Sequence, residues 1–196
     1  MAGNSARRVG AENSATRAAI LDAADALLRE EGYGAVSTRK VAARAGLKPS
    51  LVHYYFPTTD DLWLAVFRRG AEQSDAMLDT ALASENPLKA LWKFLADTSR
   101  TAQTLEVMAL ANRRKAVRAE IAVHSEQMRK RQVEALTRIY GDRLSAYDPA
   151  GLTLVLAGVG RALVMEGGFG VQGGHEEARR MVEDWIETLT RDKGAA

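Results

Sequence analysis

The stretch from Ser37 to Phe56, STRKVAARAGLKPSLVHYYF, constrains the fold of this chain more than any other. Two short helical patterns meet at Gly46. Ser37 is placed to cap the first by accepting from a backbone N–H one turn on, and Val41, Ala42 and Ala45 then share one face. Ala42 is small where two helix axes must approach, and Gly46 stands where the chain reverses. After the turn Leu47, Leu51 or Val52, and Tyr55 recur at helical spacing and face inward. Lys48, Pro49, Ser50, His53 and Tyr54 are left pointing outward. The pattern is that of a helix-turn-helix whose second helix keeps its outer face free to enter a groove.

The flanks extend it. Thr16 to Glu31 reads as an amphipathic helix with Ile20, Ala23, Ala24, Leu27 and Leu28 on one side, stopped by Gly32 and Gly34. The run from Arg17 to Leu62 resembles the N-terminal DNA-binding domain of the TetR family of transcriptional regulators. The resemblance rests on Ile20, Leu21, Ala23, Ala24 and Leu27, on Gly32-Tyr33, on Val41-Ala42 and Ala45-Gly46, and on Tyr54-Tyr55-Phe56 followed by Asp60, Asp61 and Leu62. It implies an all-α chain: an N-terminal three-helix helix-turn-helix domain and a C-terminal helical bundle for ligand binding and dimerisation. The expected divisions are a disordered tail over 1–14, the DNA-binding domain over 15–57, and the effector-binding and dimerisation domain over 58–196.

Composition agrees without deciding the matter. A chain of 196 residues with 46% hydrophobic and 27% charged content is ordinary for a soluble protein. Its lack of cysteine excludes disulfides and thiolate ligands. The apolar run Leu152 to Met165 is broken by Gly158, Gly160 and Arg161 and reads as too short to cross a bilayer. The N-terminal residues lack the apolar segment of a secretory signal, so a cytoplasmic location is expected. Net charge is only +2, but residues 1–56 hold eight Lys/Arg against five Asp/Glu, a net +3, while the remainder nets −1. The asymmetry leans toward the helix-turn-helix end.

Beyond Pro57 the helical period predicts helices over about 59–82, 87–99, 101–112, 114–140, 149–167 and 175–191. Asn86-Pro87 and Asp148-Pro149 read as N-caps followed by proline at the first helical position, and Gly141-Asp142 as a stop. The stretch PAGLTLVLAGVGRALVMEGG is apolar nearly all round, and the last helix carries Ala178, Met181, Val182, Trp185, Ile186 and Leu189 as a wide stripe. Periodicity alone allows a core helix in one bundle. The family resemblance implies instead a homodimer made by the last two helices, through Leu152, Val155, Val159, Leu163, Val182, Trp185, Ile186 and Leu189. A two-fold pair would offer two recognition helices about 34 Å apart to a palindromic operator.

The resemblance also implies DNA contacts. Ser37 and its helix N-terminus would offer N–H groups to a phosphate, with Arg39 beside the backbone. Lys48, Pro49 and Ser50 open the recognition helix, Lys48 suited to guanine O6 or N7. His53 and Tyr54 would bond phosphates. His53 replaces the tyrosine usual there, Thr59 stands where the family commonly has a lysine that holds a phosphate, and Lys40 where an acid is frequent, which implies one backbone contact weakened at Thr59 and another gained at Lys40.

An effector pocket is implied inside the bundle, with Trp63, Phe67, Trp92, Leu95, Met108, His124, Gln127 and Met128 as its candidate lining and Gln103 and Asn112 as further polar contacts. Each of the aromatics and methionines reads first as packing. Such a lining suits an apolar or amphipathic small molecule.

Enzymatic chemistry finds little support. His53, His124 and His175 lie in separate elements, and His175-Glu176-Glu177 lacks the second histidine of a zinc-protease helix. Asp60-Asp61 and Glu176-Glu177 sit at helix starts, where they complement the dipole. Gly158-Val159-Gly160 and Gly167-Gly168-Phe169-Gly170 follow no strand. No metal, cofactor or catalytic residue is expected. The sequence therefore predicts a regulator that binds a DNA operator, most simply a repressor released by a small molecule; an activator or an effector-independent architectural binder has the same fold.

Overall fold

A computed structural model describes residues 14–98, 101–144 and 146–191, without the side chains of Ala35 and 101–104. Among the described residues the regular structure is helical, with nine α-helices and no strand. They are α1 (Ala15–Glu31), α2 (Thr38–Arg44), α3 (Pro49–Tyr55), α4 (Thr59–Leu82), α5 (Pro87–Leu95), α6 (Thr101–Arg113), α7 (Lys115–Tyr140), α8 (Pro149–Gly168) and α9 (His175–Thr190).

Local chemistry sets most of these boundaries. Ser14 Oγ accepts from the Arg17 amide at 3.1 Å, so Ser14 belongs to the cap of α1 and not to the tail; the rest of that tail, 1–13, lies outside the described residues. Asn86 Oδ1 accepts from the Lys89 amide at 3.0 Å, and Asp148 Oδ1 from the Gly151 amide at 2.9 Å, each with proline next in the chain. Thr58 and Asp61 cap α4 reciprocally. Thr58 Oγ1 accepts from the Asp61 amide at 3.1 Å, and Asp61 Oδ2 accepts from the Thr58 amide at 2.9 Å.

One boundary differs from the pattern. The helical period carries to residue 99, but α5 ends at Leu95. The Arg179 guanidinium of α9 donates to the Ala96 carbonyl at 3.3 and 3.4 Å, satisfying a helix-terminal acceptor from outside the segment. At the same place α8 meets the end of α5 at Gly160, where a Cβ would stand 2.3 Å from the Leu95 carbonyl oxygen. No periodicity could show either contact.

The chain forms two compact units, one of residues up to Gly70 with Glu106–Ile121, the other of Ala71–Leu105 with residues from Ala122 onward. The first is larger than the expected 15–57, because the start of α4 and parts of α6 and α7 belong to it. Its core joins Ile20, Ala24, Leu28, Val41, Ala42 and Val52 to Leu62, Trp63, Leu110 and Val117.

The second unit packs α5, α8 and α9 around Leu88, Leu91, Trp92, Leu156 and Ile186, all at most 1% exposed. The Tyr140 hydroxyl accepts from the Leu88 amide at 3.1 Å, and burial pushes its pKa up. Arg131 ties α7 to α4 through Asp75 at 2.6 Å and Asp79. The helix α8 is longer than its uninterrupted apolar run suggested: at 20 residues it is long and apolar enough to cross a membrane by length and composition. Seven of its residues, among them Thr153 and Gly160, are nonetheless buried in the second unit, which is how a core helix is used.

Candidate nucleic-acid interface

The turn between α2 and α3 is fixed by backbone geometry. Gly46 has φ 68°, the left-handed region that disfavours side chains. A Cβ there would meet nothing within 4 Å, so conformation and not space calls for glycine. The Leu47 amide donates to the Ala42 carbonyl at 2.8 Å and the Gly46 amide to Ala43 at 3.2 Å, the paired bonds of a Schellman motif. Ser37 Oγ accepts from the Lys40 amide at 3.3 Å and starts α2. Lys48 is the N-cap of α3 and Pro49 opens it.

With the turn so fixed, Val52 is 1% exposed and Leu47, Leu51 and Tyr55 are half-buried, while Lys48, Pro49, Ser50, His53 and Tyr54 are exposed. The remaining residues singled out at this end, Ser37, Arg39, Lys40 and Thr59, are exposed too. Thr59 follows the capping Thr58 at the start of α4. Tyr54 stands edge-on to Tyr55 at 5.2 Å, and Arg17 lies over the Phe56 ring at 5.2 Å.

The basic residues are not equivalent. Lys40 Nζ lies 2.5 Å from Glu31, and Arg44 forms a two-pronged pair with Glu30 at 2.7 and 2.8 Å. That hydrogen bond holds the Glu30 carboxyl below, and the Arg44 guanidinium above, their ordinary ranges. Neither Arg39 nor Lys48 has an ion pair among the described residues. The sequence placed Lys40 at the backbone of a nucleic acid; here it is held by an acid of α1, although an exposed pair of this kind is weak and exchangeable.

A second set of contacts, invisible in the motif, holds the turn between α1 and α2. The Tyr33 amide donates to Glu106 Oε2 at 2.6 Å. Arg114 donates from Nε to the Tyr33 hydroxyl at 2.8 Å and from Nη1 to Asp60 at 2.6 Å. The hydroxyl bond is the first cause raising the Arg114 pKa above its usual value. The Tyr33 ring stands edge-on to Trp63 at 5.6 Å. Glu106 and Arg114 lie more than seventy residues from Tyr33, beyond any local pattern.

The sequence signature of the bacterial regulatory proteins of the tetR family matches residues 20–66, which span α1 to the first turns of α4. Over those residues the chain carries the signature of the TetR family's N-terminal domain. It is 29% identical over 130 residues to the HTH-type transcriptional regulator BetI of Rhizobium meliloti (65% of this chain, 60% of that protein). It is 32% identical over 111 residues to the HTH-type transcriptional repressor KstR of Mycolicibacterium smegmatis (56% of this chain, 54% of that protein). The aligned stretches thus span little more than half of these relatives. A transcriptional regulator from Saccharomonospora viridis, solved in complex with choline, shares the fold with a TM-score of 0.74 at 20% identity, over 87% of this chain and 95% of that one.

Other residues that the TetR resemblance singled out are dispersed. Of the candidate pocket lining, Trp63, Phe67 and Met108 belong to the first unit and Trp92, Leu95, His124, Gln127 and Met128 to the second. Trp63, at 1% exposed, is core of the first unit, because the face of α4 that carries it closes on Tyr33. Met108, Gln127 and Asn112 are exposed. His124 lies 4.0 Å from Asp75. The Gln103 side chain lies outside the described residues. The second unit does hold an open groove of about 800 Å³, lined by Met77, Trp92, Phe94, Asp97, Arg179 and Glu183 among others; of the eight expected residues only Trp92 borders it.

The residues expected at a dimer seam are mostly turned into their own unit. Leu152, Leu163, Val182, Ile186 and Leu189 are each at most 8% exposed, packed in the second unit's own core. Trp185 and Val159 are half-buried against that core, and Trp185 stands on Tyr147 at 5.5 Å. Of the eight, only Val155 is exposed, at 52%. The outward apolar surface consists of Leu154 (54%) with Val155 and Gly158 on α8 and Met181 (72%) on α9. Where a helix is apolar on every side, as α8 is, periodicity cannot say which side faces in.

Proposed function

We propose that this chain is a sequence-specific DNA-binding transcriptional regulator that acts as a homodimer on a palindromic operator, as a repressor released by a small molecule. The observation that carries the reading is the outward face of α3. Lys48, Ser50, His53 and Tyr54 are exposed, and among the described residues Lys48 and Arg39 form no ion pair while the neighbouring Lys40 and Arg44 do. Lys48 is assigned to base edges, Ser50 to bases, and Ser37, Arg39, His53, Tyr54, Lys40 and Thr59 to the phosphate backbone. The relatives named as transcriptional regulators support the class, and a cytoplasmic location goes with it.

Dimerisation is assigned to the exposed apolar surface of α8 and α9, Val155 of the sequence reading together with Leu154, Gly158 and Met181. Two recognition helices would then meet successive major grooves about 34 Å apart. The effector is assigned to the groove of the second unit. Its apolar lining, Met77, Trp92 and Phe94, and its three carboxylates, Asp97, Glu176 and Glu183, against Lys93 and Arg179 suit an amphipathic molecule with a cationic head. Choline in the Saccharomonospora viridis regulator makes it the first probe.

The test is selection of bound sequences from random duplex DNA at about 150 mM salt, where non-specific contacts are already weakened. A palindrome supports the dimeric regulator and yields a probe for release by choline. An unenriched pool removes sequence-specific regulation and favours an architectural binder.

A further inference from the structure

Two side chains unused by the function proposed above hold the helix-turn-helix from outside the motif. Glu106 and Arg114 are drawn to the turn after α1 by three bonds: the Tyr33 amide to Glu106 at 2.6 Å, and Arg114 to the Tyr33 hydroxyl at 2.8 Å and to Asp60 at 2.6 Å. The same Glu106 carboxylate lies 3.1 Å from where a Cβ on Gly32 would stand. One carboxylate and one guanidinium therefore fix both ends of Tyr33 and the first turn of α4. The consequence follows from chain order. α2 begins five residues after Tyr33, and α3 is locked to α2 by the Schellman turn, so the direction in which α3 presents its outer face depends on where Tyr33 is held.

We infer that Glu106 and Arg114 are positioning residues for DNA recognition: without touching DNA, they set the orientation of α2 and α3 and thereby the affinity for the operator. Charge-assisted bonds suit this role because they are directional and roughly twice as strong as neutral ones. The inference rests on the reading of α3 as the recognition helix.

The test compares Arg114→Met, Arg114→Lys, Glu106→Gln and Tyr33→Phe in the full chain. Three quantities are read: affinity for the selected duplex over a range of salt, thermal midpoint, and amide exchange of the free protein over residues 36–56. Arg114→Met is expected to weaken binding on the order of tenfold, the equivalent of one charge-assisted bond. The slope of log affinity on log salt should stay unchanged because no phosphate contact is lost. Arg114→Lys, which keeps a charge for Asp60 without spanning to Tyr33, should fall between, and Tyr33→Phe should be non-additive with Arg114→Met. Exchange over α2 and α3 should rise in Arg114→Met and Glu106→Gln.

A salt slope shallower by about one in Arg114→Met would make Arg114 itself a phosphate contact and overturn the inference. A lowered midpoint with unchanged affinity well below it would reduce both residues to stabilisation, with the same result. If the wild-type chain enriches no duplex, it is the reading of α3 that fails and the role in DNA recognition falls with it; unchanged exchange over α2 and α3 with the reading of α3 intact overturns the positioning role alone.

Discussion

The two units expose opposite kinds of surface. In the first, α3 turns Val52 inward and leaves Lys48, Ser50, His53 and Tyr54 outside, a face that water solvates without help. In the second, α8 buries Leu152, Leu156 and Leu163 and still leaves Leu154 and Val155 more than half exposed, and α9 leaves Met181 at 72%. A polar outer face on a short helix is finished as it stands and waits for a polar ligand. An apolar outer face on a core helix calls for a cover. On the reading proposed above, the difference separates a surface suited to a charged, grooved partner from one that a second copy would cover.

The largest effect on this comparison should come from Trp63→Ala. It empties the centre of the first unit and should cost about 3–5 kcal/mol in denaturant unfolding, with loss of DNA binding as that unit opens. Next, Leu154→Asp with Met181→Asp should break the apolar surface by placing charge on it, halving the mass in sedimentation. Operator affinity should fall on the order of a hundredfold as two linked binding events become one. Trp185→Asp is a poorer test because Trp185 packs on Tyr147 within its own unit.

Lys48→Ala acts on the polar face alone and should lower discrimination between operator and mutated sites by about 1–3 kcal/mol without changing the oligomer. The smallest effect concerns the exposed pair Glu30–Arg44. The Arg44 hydrogen bond depresses the Glu30 pKa, so the pair's contribution is complete above the ordinary carboxylate range and lost as pH falls through the depressed value. The stability difference between wild type and Arg44→Gln should therefore shrink on acidification.

Much of the first unit was legible because its information is local. The cap at Ser37, the reversal at Gly46 and the split of α3 into inner and outer faces all follow from residues within two turns of one another. The same holds for Asn86 and Asp148 as caps. The second unit was legible as helices and not as surfaces: Leu152, Leu163, Val182, Ile186 and Leu189, which the family resemblance assigned to a seam, pack in the unit's own core. Trp63, at home in a list of pocket aromatics, closes on Tyr33 instead.

By itself, then, the sequence determined that the chain is helical, where most helices begin, how α2 turns into α3, and which residues α3 presents; these depend on backbone conformation, capping and periodicity over a few neighbours. Only the tertiary structure decided that α5 stops at Leu95 against Gly160 and Arg179, that α8 hides one apolar side and shows another, and that Glu106 and Arg114 hold Tyr33. The contacts at Leu95, Ala96 and Tyr33 each join residues more than sixty positions apart, and the facing of α8 is settled by what packs against it, which no local pattern records.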